Sequence, residues 1–514
     1  MRRLFILFAL FILLIVVRVT SPVDLFEGDQ QKQVGYVMDI LHGGSWIAQY
    51  EVTGKIATKP PLYNWCAALA AMLFHSTRPW VMKLPSLLAG AGLLVLIYLL
   101  ARRLFNESTA FWATLACMAS HHFVKLVWFA RTDMLMVFGL YLAIYLFFVL
   151  NSPWWKSAVM GLLMGANYLI KGPAGPSFFG VWLLVWAFEG GYLFKPARWT
   201  YLVPGFLIFT AIAGWWLASV WNMPQFRNVV LIEELGSRVP GLGSEVDAFY
   251  YYVPLLFARI APWSLVAMIT LLAAQKRLEW QHARFVALWA LGMFVFLSFI
   301  PVKRHDLLLP VYPPVFILAG LGLHYFTESQ AVKTFKWLVW ALAVPLIVLP
   351  GVFPLLMKPH VTPLLWVMAF AVCGCGAAAA LCARKPSSAA IVWLCAGAII
   401  IHGLYHHGLG NSHPVDLYAR LEKFTAPVKE DATHGKVVVW GTHPLVSYEL
   451  SLHQRIGNAG DLKKYKPEWL ITEASRADEV RKDTGWSLTE KEAFVSRAKF
   501  AKIDARLYHV DGQS

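Results

Sequence analysis

Apolar runs recur along this chain near residues 4–19, 84–101, 109–127, 133–150, 157–170, 174–188, 201–219, 252–273, 285–301, 307–326, 335–354, 362–382 and 388–405. A helix needs about 20 such residues to cross the hydrocarbon of a bilayer. In lipid every backbone N–H and C=O must find a partner within the protein, which leaves a helical bundle as the fold for runs of this length. Thirteen spans are therefore predicted. Several are short or interrupted by Gly and Pro, which is tolerated where neighbouring helices shield the backbone. Composition agrees: 58% of the 514 residues are hydrophobic and 15% charged, whereas about a quarter are charged in a soluble domain. The expected fold class is an all-α polytopic membrane domain over residues 1–405 with a small α/β domain over 406–514.

The first run starts with Arg2 and Arg3 and lacks a small-residue cleavage site, so it reads as a retained helix and not a removed signal. With the N-terminus cytoplasmic, every inner connection holds a positive charge, among them Arg102, Arg103, Lys156, Lys195, Lys276, Lys333 and Arg384. An odd number of spans then puts the tail on the outer side. The net charge of +15 suits anionic headgroups and phosphate-bearing ligands. Because the Lys and Arg are scattered among loops, no nucleic-acid partner is expected. The six cysteines all lie in apolar runs without metal-ligand spacing, and Cys373 and Cys375, two apart on a helix, face apart.

Polar chemistry concentrates in the first outer loop, residues 20–83. Val34, Val37, Met38 and Leu41 have the one-sided spacing of an amphipathic helix that Gly43 and Gly44 would end. The run from Leu62 to Phe74 is too short to span and is expected to lie at the interface. Between these helices and ahead of them stand the candidates. Asp24, Glu27 and Asp29 cluster within six residues; Asp29 is an N-cap in the plain reading and an acid facing the water boundary in the functional one. Lys59 precedes Pro60 and Pro61, which fix the backbone direction and leave few amide donors nearby.

Further along, Asp133 opens the fourth span, where the helix dipole favours a carboxylate in any case, with Arg131 beside it. Lys171 ends the fifth span, as a snorkelling lysine or a ligand. Lys303 and Arg304 adjoin His305 and Asp306 at an outer edge, for headgroup contact or for a lipid phosphate. A long connection carries Glu233, Glu234 and Arg238, the length of a functional lid. In the tail, KVVVW, EWLIT and ARLYHV read as strands and ASRADEVRKD as a helix, with His443 and His453 as surface or packing residues.

The motifs KPPLYNW, ARTDM, KGP, EELGSR, the pair Pro262 and Trp263, and KRHDLLLPVYP follow one another in this order. With them the chain, over about residues 1–410, resembles the bacterial membrane glycosyltransferases related to the aminoarabinose lipid A transferase and the protein O-mannosyltransferases. The resemblance implies a C-type glycosyltransferase fold with thirteen spans, two interfacial helices in the first periplasmic loop and a cavity at the outer face of the inner membrane. It implies an inverting transfer of a sugar from a polyprenyl-phosphate donor to a lipid or protein acceptor, in a multi-pass protein of the bacterial inner membrane whose tail is periplasmic. Carried over by position, Asp29 and Asp133 are its catalytic acids, Lys59 its KPPL lysine, and Lys303 and Arg304 its carrier-phosphate contacts. Among the other polar residues, Arg131, Lys171, Glu233, Arg238 and Tyr312 are expected to bind substrate, as Lys59 is. Gln30 stands where the family often has Glu, Thr58 where it has Glu, and Glu234 where it has His. The last two changes remove metal-ligand candidates, so neither metal nor other cofactor is expected.

A phosphate is already a good leaving group, so the chemistry asks mainly for a base on the acceptor hydroxyl and for cations at the departing charge. The competing class is a transporter or flippase of a lipid-linked sugar, which would need ionisable residues deep within spans or repeated halves. Here the charges gather at span ends.

Overall fold

The computed structural model describes residues 1–19, 25, 28–52, 54–191, 200–228, 247–328, 332–356, 363–383, 388–404, 414–454, 456, 458–498 and 501–511. Through the apolar part the helices are α1 (Arg2–Val19), α2 (Gly28–Leu41), α3 (Leu62–Leu73), α4 (Pro79–Leu104), α5 (Glu107–Met118), α6 (His121–Leu126), α7 (Thr132–Val149), α8 (Pro153–Lys171), α9 (Ala174–Glu189), α10 (Val203–Trp221), α11 (Pro224–Asn228), α12 (Tyr252–Arg259), α13 (Trp263–Ala274), α14 (Trp280–Ser298), α15 (Tyr312–Glu328), α16 (Val332–Leu356), α17 (Pro363–Cys382) and α18 (Ser388–Leu404). Six helices among the described residues are long and apolar enough to cross a membrane, or seven if one sharply bent pair counts as a span. The protein is thus a multi-pass membrane protein, and the count of thirteen is not reached by this measure.

Two expected spans are broken. The run 109–127 divides into α5 and the short α6, and 252–273 divides into α12 and α13, bent by 98°. Pro262, at the second break, has no amide to continue the hydrogen-bond ladder.

The two helices expected at the interface form as α2 and α3. α2 reaches back to Gly28, six residues beyond the amphipathic pattern, so Asp29 lies within the first turn and not ahead of it as an N-cap. At its other end Gly43, with φ of 83°, takes the left-handed conformation that closes a helix, and the Gly43 and Gly44 amides donate to the Ile40 and Asp39 carbonyls. Asp24 and Glu27 lie outside the described residues.

The tail holds α19 (Pro414–Thr425), α20 (Lys429–Thr433), β1 (Val437–Val439), α21 (Pro444–Glu449), β2 (Trp469–Thr472), α22 (Ala474–Thr484), β3 (Ser487–Ala498) and β4 (Ala501–Asp511). The sheet order is β1-β2-β4-β3, with β1 and β2 parallel and the remaining pairs antiparallel. Alternation divides the strands between two cores. Val437, Val439 and Ile471 pack with the Val34, Val37, Met38, Tyr63 and Ala67 side of α2 and α3, while Val438 and Leu470 pack with Ala477 and Val480 of α22. The tail therefore shares a hydrophobic core with the helix that carries Asp29. His453, from the same module, comes within 2.9 Å of the buried Asp39 carboxylate of α2.

Candidate active site

Arg131 takes an extended conformation just ahead of α7, where its guanidinium is buried and reaches three carboxylates. Nη2 lies 3.3 Å from Asp29 Oδ2, Nε lies 3.1 Å from Asp133 Oδ2, and Nη1 pairs with Asp306 Oδ2. The five N–H donors of a planar, permanently charged guanidinium allow this; an ammonium could not bridge three acids in fixed directions. Asp133, in the first turn of α7, also receives Lys171 Nζ from the end of α8. Asp29 also receives Arg304 Nη2. Lys59 completes the group as an electrostatic neighbour of Asp29, Asp133, Arg131 and Lys171.

Neighbouring polar contacts hold the pieces in place. Gln30 is fully buried and its Oε1 accepts the Ala130 amide at 3.0 Å, which ties the first turn of α2 to the turn leading into Arg131. An amide suits a neutral N–H there and adds no fourth acid. Gln33 donates to Asn64, whose Nδ2 donates to Gln49 Oε1 at 3.0 Å, and the Gln49 carbonyl accepts the Ala57 amide at 2.8 Å, joining α2, α3 and the stretch that leads to Lys59.

Asp29, Lys59, Arg131, Asp133, Lys171 and Arg304 thus come together from five separate stretches of chain. Glu233 and Arg238 lie outside the described residues. Lys303 does not join: its Nζ donates to the Asp247 and Ile300 carbonyls at 3.1 and 2.8 Å, and its own amide donates to Asp247 Oδ2 at 2.7 Å. Buried against backbone, it braces the turn that presents Arg304. Tyr312 stands behind the cluster, its hydroxyl 2.6 Å from His122 Nδ1.

Asp306 and His122 carried no role in the sequence reading. Asp306 Oδ1 accepts from His122 Nε2 and from His305 Nε2, each at 3.0 Å, so this carboxylate bonds two histidines on one oxygen and Arg131 on the other. With Nε2–H donated to Asp306, His122 Nδ1 accepts the Tyr312 hydroxyl and all three groups are satisfied. Asp306 was legible as the last letter of KRHD. His122 had no signal beyond a polar pair, His121 and His122, inside an apolar run.

Burial by itself pushes the Asp29 carboxyl up, but Lys59, Arg304 and Arg131 outweigh it and hold the carboxyl below its usual value of 3.8. Burial pushes the Lys59 ammonium below its usual 10.5, against the opposing pull of Asp29. Among the described residues the cluster has four cations, Lys59, Arg131, Lys171 and Arg304, against three carboxylates, Asp29, Asp133 and Asp306, an excess of one positive charge. A site so charged is suited to one monoanionic phosphodiester.

The chain is similar to known proteins in sequence and in fold. The family described as dolichyl-phosphate-mannose-protein mannosyltransferase matches residues 58–217, which include Lys59, Arg131, Asp133 and Lys171. An undecaprenyl phosphate-alpha-4-amino-4-deoxy-L-arabinose arabinosyl transferase of Pseudomonas fluorescens is 26% identical over 315 residues, 57% of this chain and 55% of that protein. Its counterpart in Pseudomonas aeruginosa is 25% identical over 317 residues, again 57% and 55%. The matches thus span about half the length of these relatives. The crystal structure of ArnT from Cupriavidus metallidurans bound to undecaprenyl phosphate superposes with a TM-score of 0.73 over 98% of this chain and 97% of that one, at 16% identity, which shows a common fold. The ordered motifs, the partial family match and the shared fold together make the chain similar to the membrane glycosyltransferases that include the aminoarabinose transferases.

Proposed function

We propose that the protein is an inverting glycosyltransferase that moves a sugar from a polyprenyl-phosphate donor to a lipid or protein acceptor at the outer face of a bacterial inner membrane, with the tail module on that same side. The observation that carries this reading is the convergence of Asp29, Lys59, Arg131, Asp133, Lys171 and Arg304. A transporter of a lipid-linked sugar would instead carry ionisable residues deep within its spans. The relatives named as undecaprenyl phosphate aminoarabinose transferases support a polyprenyl-phosphate donor.

The donor phosphate enters between Lys59 and Arg304 and takes over the positive charge that now holds Asp29. Relieved of those partners, the Asp29 carboxylate regains basicity and accepts the proton of the acceptor hydroxyl. The acceptor oxygen forms its bond to the anomeric carbon from the face opposite the phosphate, and the carbon–oxygen bond to phosphate breaks with its electron pair left on the phosphate. Lys59 and Arg304 stabilise that growing charge in a site partly shut off from water. Asp29 is the base and Asp133 is not, because the Asp29 side chain is 23% exposed and shared by two arginines, while Asp133 is 4% exposed and clamped by Arg131 and Lys171. Asp133 keeps those two cations in place beside Asp29 and Lys59.

The test is transfer by the purified full-length protein from polyprenyl-phosphate sugars, with the acceptor identified by mass spectrometry of envelope glycolipids and glycoproteins from cells with and without the gene. Asp29→Asn should insert normally and lose turnover by about 10² to 10⁴, the usual contribution of a general base. Undiminished transfer by this variant excludes Asp29 as the base.

A further inference from the structure

Away from the charged cluster, a cavity of about 690 Å³ opens between α8 and α9, with α10 completing its wall. Met164, Phe179, Leu183 and Phe206 line it, and Phe206 is 66% exposed, so the hollow reaches the lipid-facing surface. Sites for single small molecules have volumes of about 300 to 1,000 Å³. An apolar hollow of this size forfeits dispersion contacts on all its walls unless something fills it, and within a bilayer the filler at hand is a hydrocarbon chain.

The cavity has a polar mouth at one end. Lys156 is there, its Nζ 4.4 Å from the centroid of Phe147, which also lines the hollow. Arg103 is an electrostatic neighbour of Lys156 and is tied to the Phe148 carbonyl at 2.8 Å. Trp154 and Trp155, next in sequence, are 53% and 71% exposed, and Trp154 meets Tyr201 edge to face. Exposed tryptophans with cations mark the boundary between hydrocarbon and headgroups. That boundary is the far one. α8 has 19 residues and at about 1.5 Å per residue nearly matches the ~30 Å hydrocarbon core, and its other end, Lys171, is the residue that holds Asp133.

We propose that the wedge between α8 and α9 is a lipid-binding site of the leaflet opposite the charged cluster, taking a hydrocarbon chain of an anionic phospholipid whose phosphate rests against Lys156. The geometry disfavours the polyprenyl donor as occupant, since a phosphate at this mouth stands a full span away from Lys59 and Arg304. The site is independent of the proposed reaction.

Native mass spectrometry of the delipidated full-length protein, titrated separately with phosphatidylglycerol, phosphatidylcholine and undecaprenyl phosphate, tests this. One phosphatidylglycerol should bind about fivefold more tightly than phosphatidylcholine, the effect of one interfacial cation. Lys156→Gln should abolish the preference and Leu183→Trp, which fills the wedge, should weaken binding of both phospholipids. Equal binding of the two by the native protein, a preference that survives Lys156→Gln, or one-for-one displacement of phosphatidylglycerol by undecaprenyl phosphate overturns the proposal. Should Leu183→Trp fail to fold, the comparison of native protein with Lys156→Gln still decides.

Discussion

Arg131 holds Asp29, Asp133 and Asp306 at once, and losing any one of these contacts changes where the guanidinium points. Asp306 is the deepest anchor, since its second oxygen is already held by two histidines. Asp306→Asn keeps the shape and removes the charge, leaving a buried guanidinium short of a partner. Breaking a buried pair in this way costs about 3 to 5 kcal/mol, and a shift of about 1 Å in a positioned group costs on the order of 10²-fold in rate. The variant should lower both the thermal unfolding midpoint and kcat, with donor KM little changed because Lys59 and Arg304 are untouched; a kcat equal to that of the native protein would show that Asp306 has no part in positioning.

Lys59 and Asp29 both make stability rise with pH, but in separate windows at the alkaline and acid ends. Asp29 titrates below its ordinary value in the folded protein, so its ion pairs contribute stability at neutral pH that is lost as pH falls through and below 3.8. Lys59 is also depressed, so between its folded value and 10.5 the unfolded chain binds more protons, and its contribution to stability rises with pH. Transfer should fall over that same window as the cation is lost. The alkaline limb of kcat/KM, which reports the free enzyme, should lie below 10.5 and move upward in Lys59→Arg, whereas the limb of kcat lies higher because bound phosphate favours the ammonium. A kcat/KM limb that stays in place in Lys59→Arg assigns it to another group.

Among the elements, the pair α8 and α10 depends on missing side chains. A Cβ on Gly161 would lie 2.1 Å from the Gly205 carbonyl oxygen, and one on Gly205 would lie 2.3 Å from the Ser157 carbonyl oxygen. Small residues let helix backbones approach where lipid supplies no hydrophobic drive for association. Gly161→Ala must part the two backbones, and overpacking of this kind costs about 1 to 3 kcal/mol; an unchanged unfolding midpoint in detergent would mean the helices slide apart freely. Elements also mark where sequence patterns fell short. β3 was missed because its sequence, SLTEKEAFVSRA, is rich in charge, as befits an edge strand that pairs only with β4 and presents acids and lysines at the sheet's border. The break between α12 and α13 was hidden because both halves are apolar, and hydropathy measures solvent and not direction.

At the scale of the molecule, the tail module and the first loop form one body. Leu445 of α21 is buried and faces Val34 and Met38 of α2 across a narrow crevice, and Tyr448 donates its hydroxyl to the Thr77 carbonyl. The tail is thereby a brace for the helix whose first turn carries Asp29. Leu445→Ala should cost about 2 to 5 kcal/mol and also reduce transfer at temperatures where the variant remains folded; full transfer there would make the contact one of stability alone. Sequence by itself determined the membrane class, the two helices α2 and α3, three of the four strands, and Asp29, Lys59, Arg131, Asp133, Lys171 and Arg304 as candidates, because hydropathy, helical spacing and ordered motifs are local properties that survive without coordinates. Only the tertiary structure decided that Lys303 turns to backbone carbonyls, that Asp306 and His122 stand behind Arg131, and that the tail grips α2. Those outcomes depend on which groups meet across 56 to 371 residues of chain, and a buried charge is held by the partner it meets there, which no local pattern encodes.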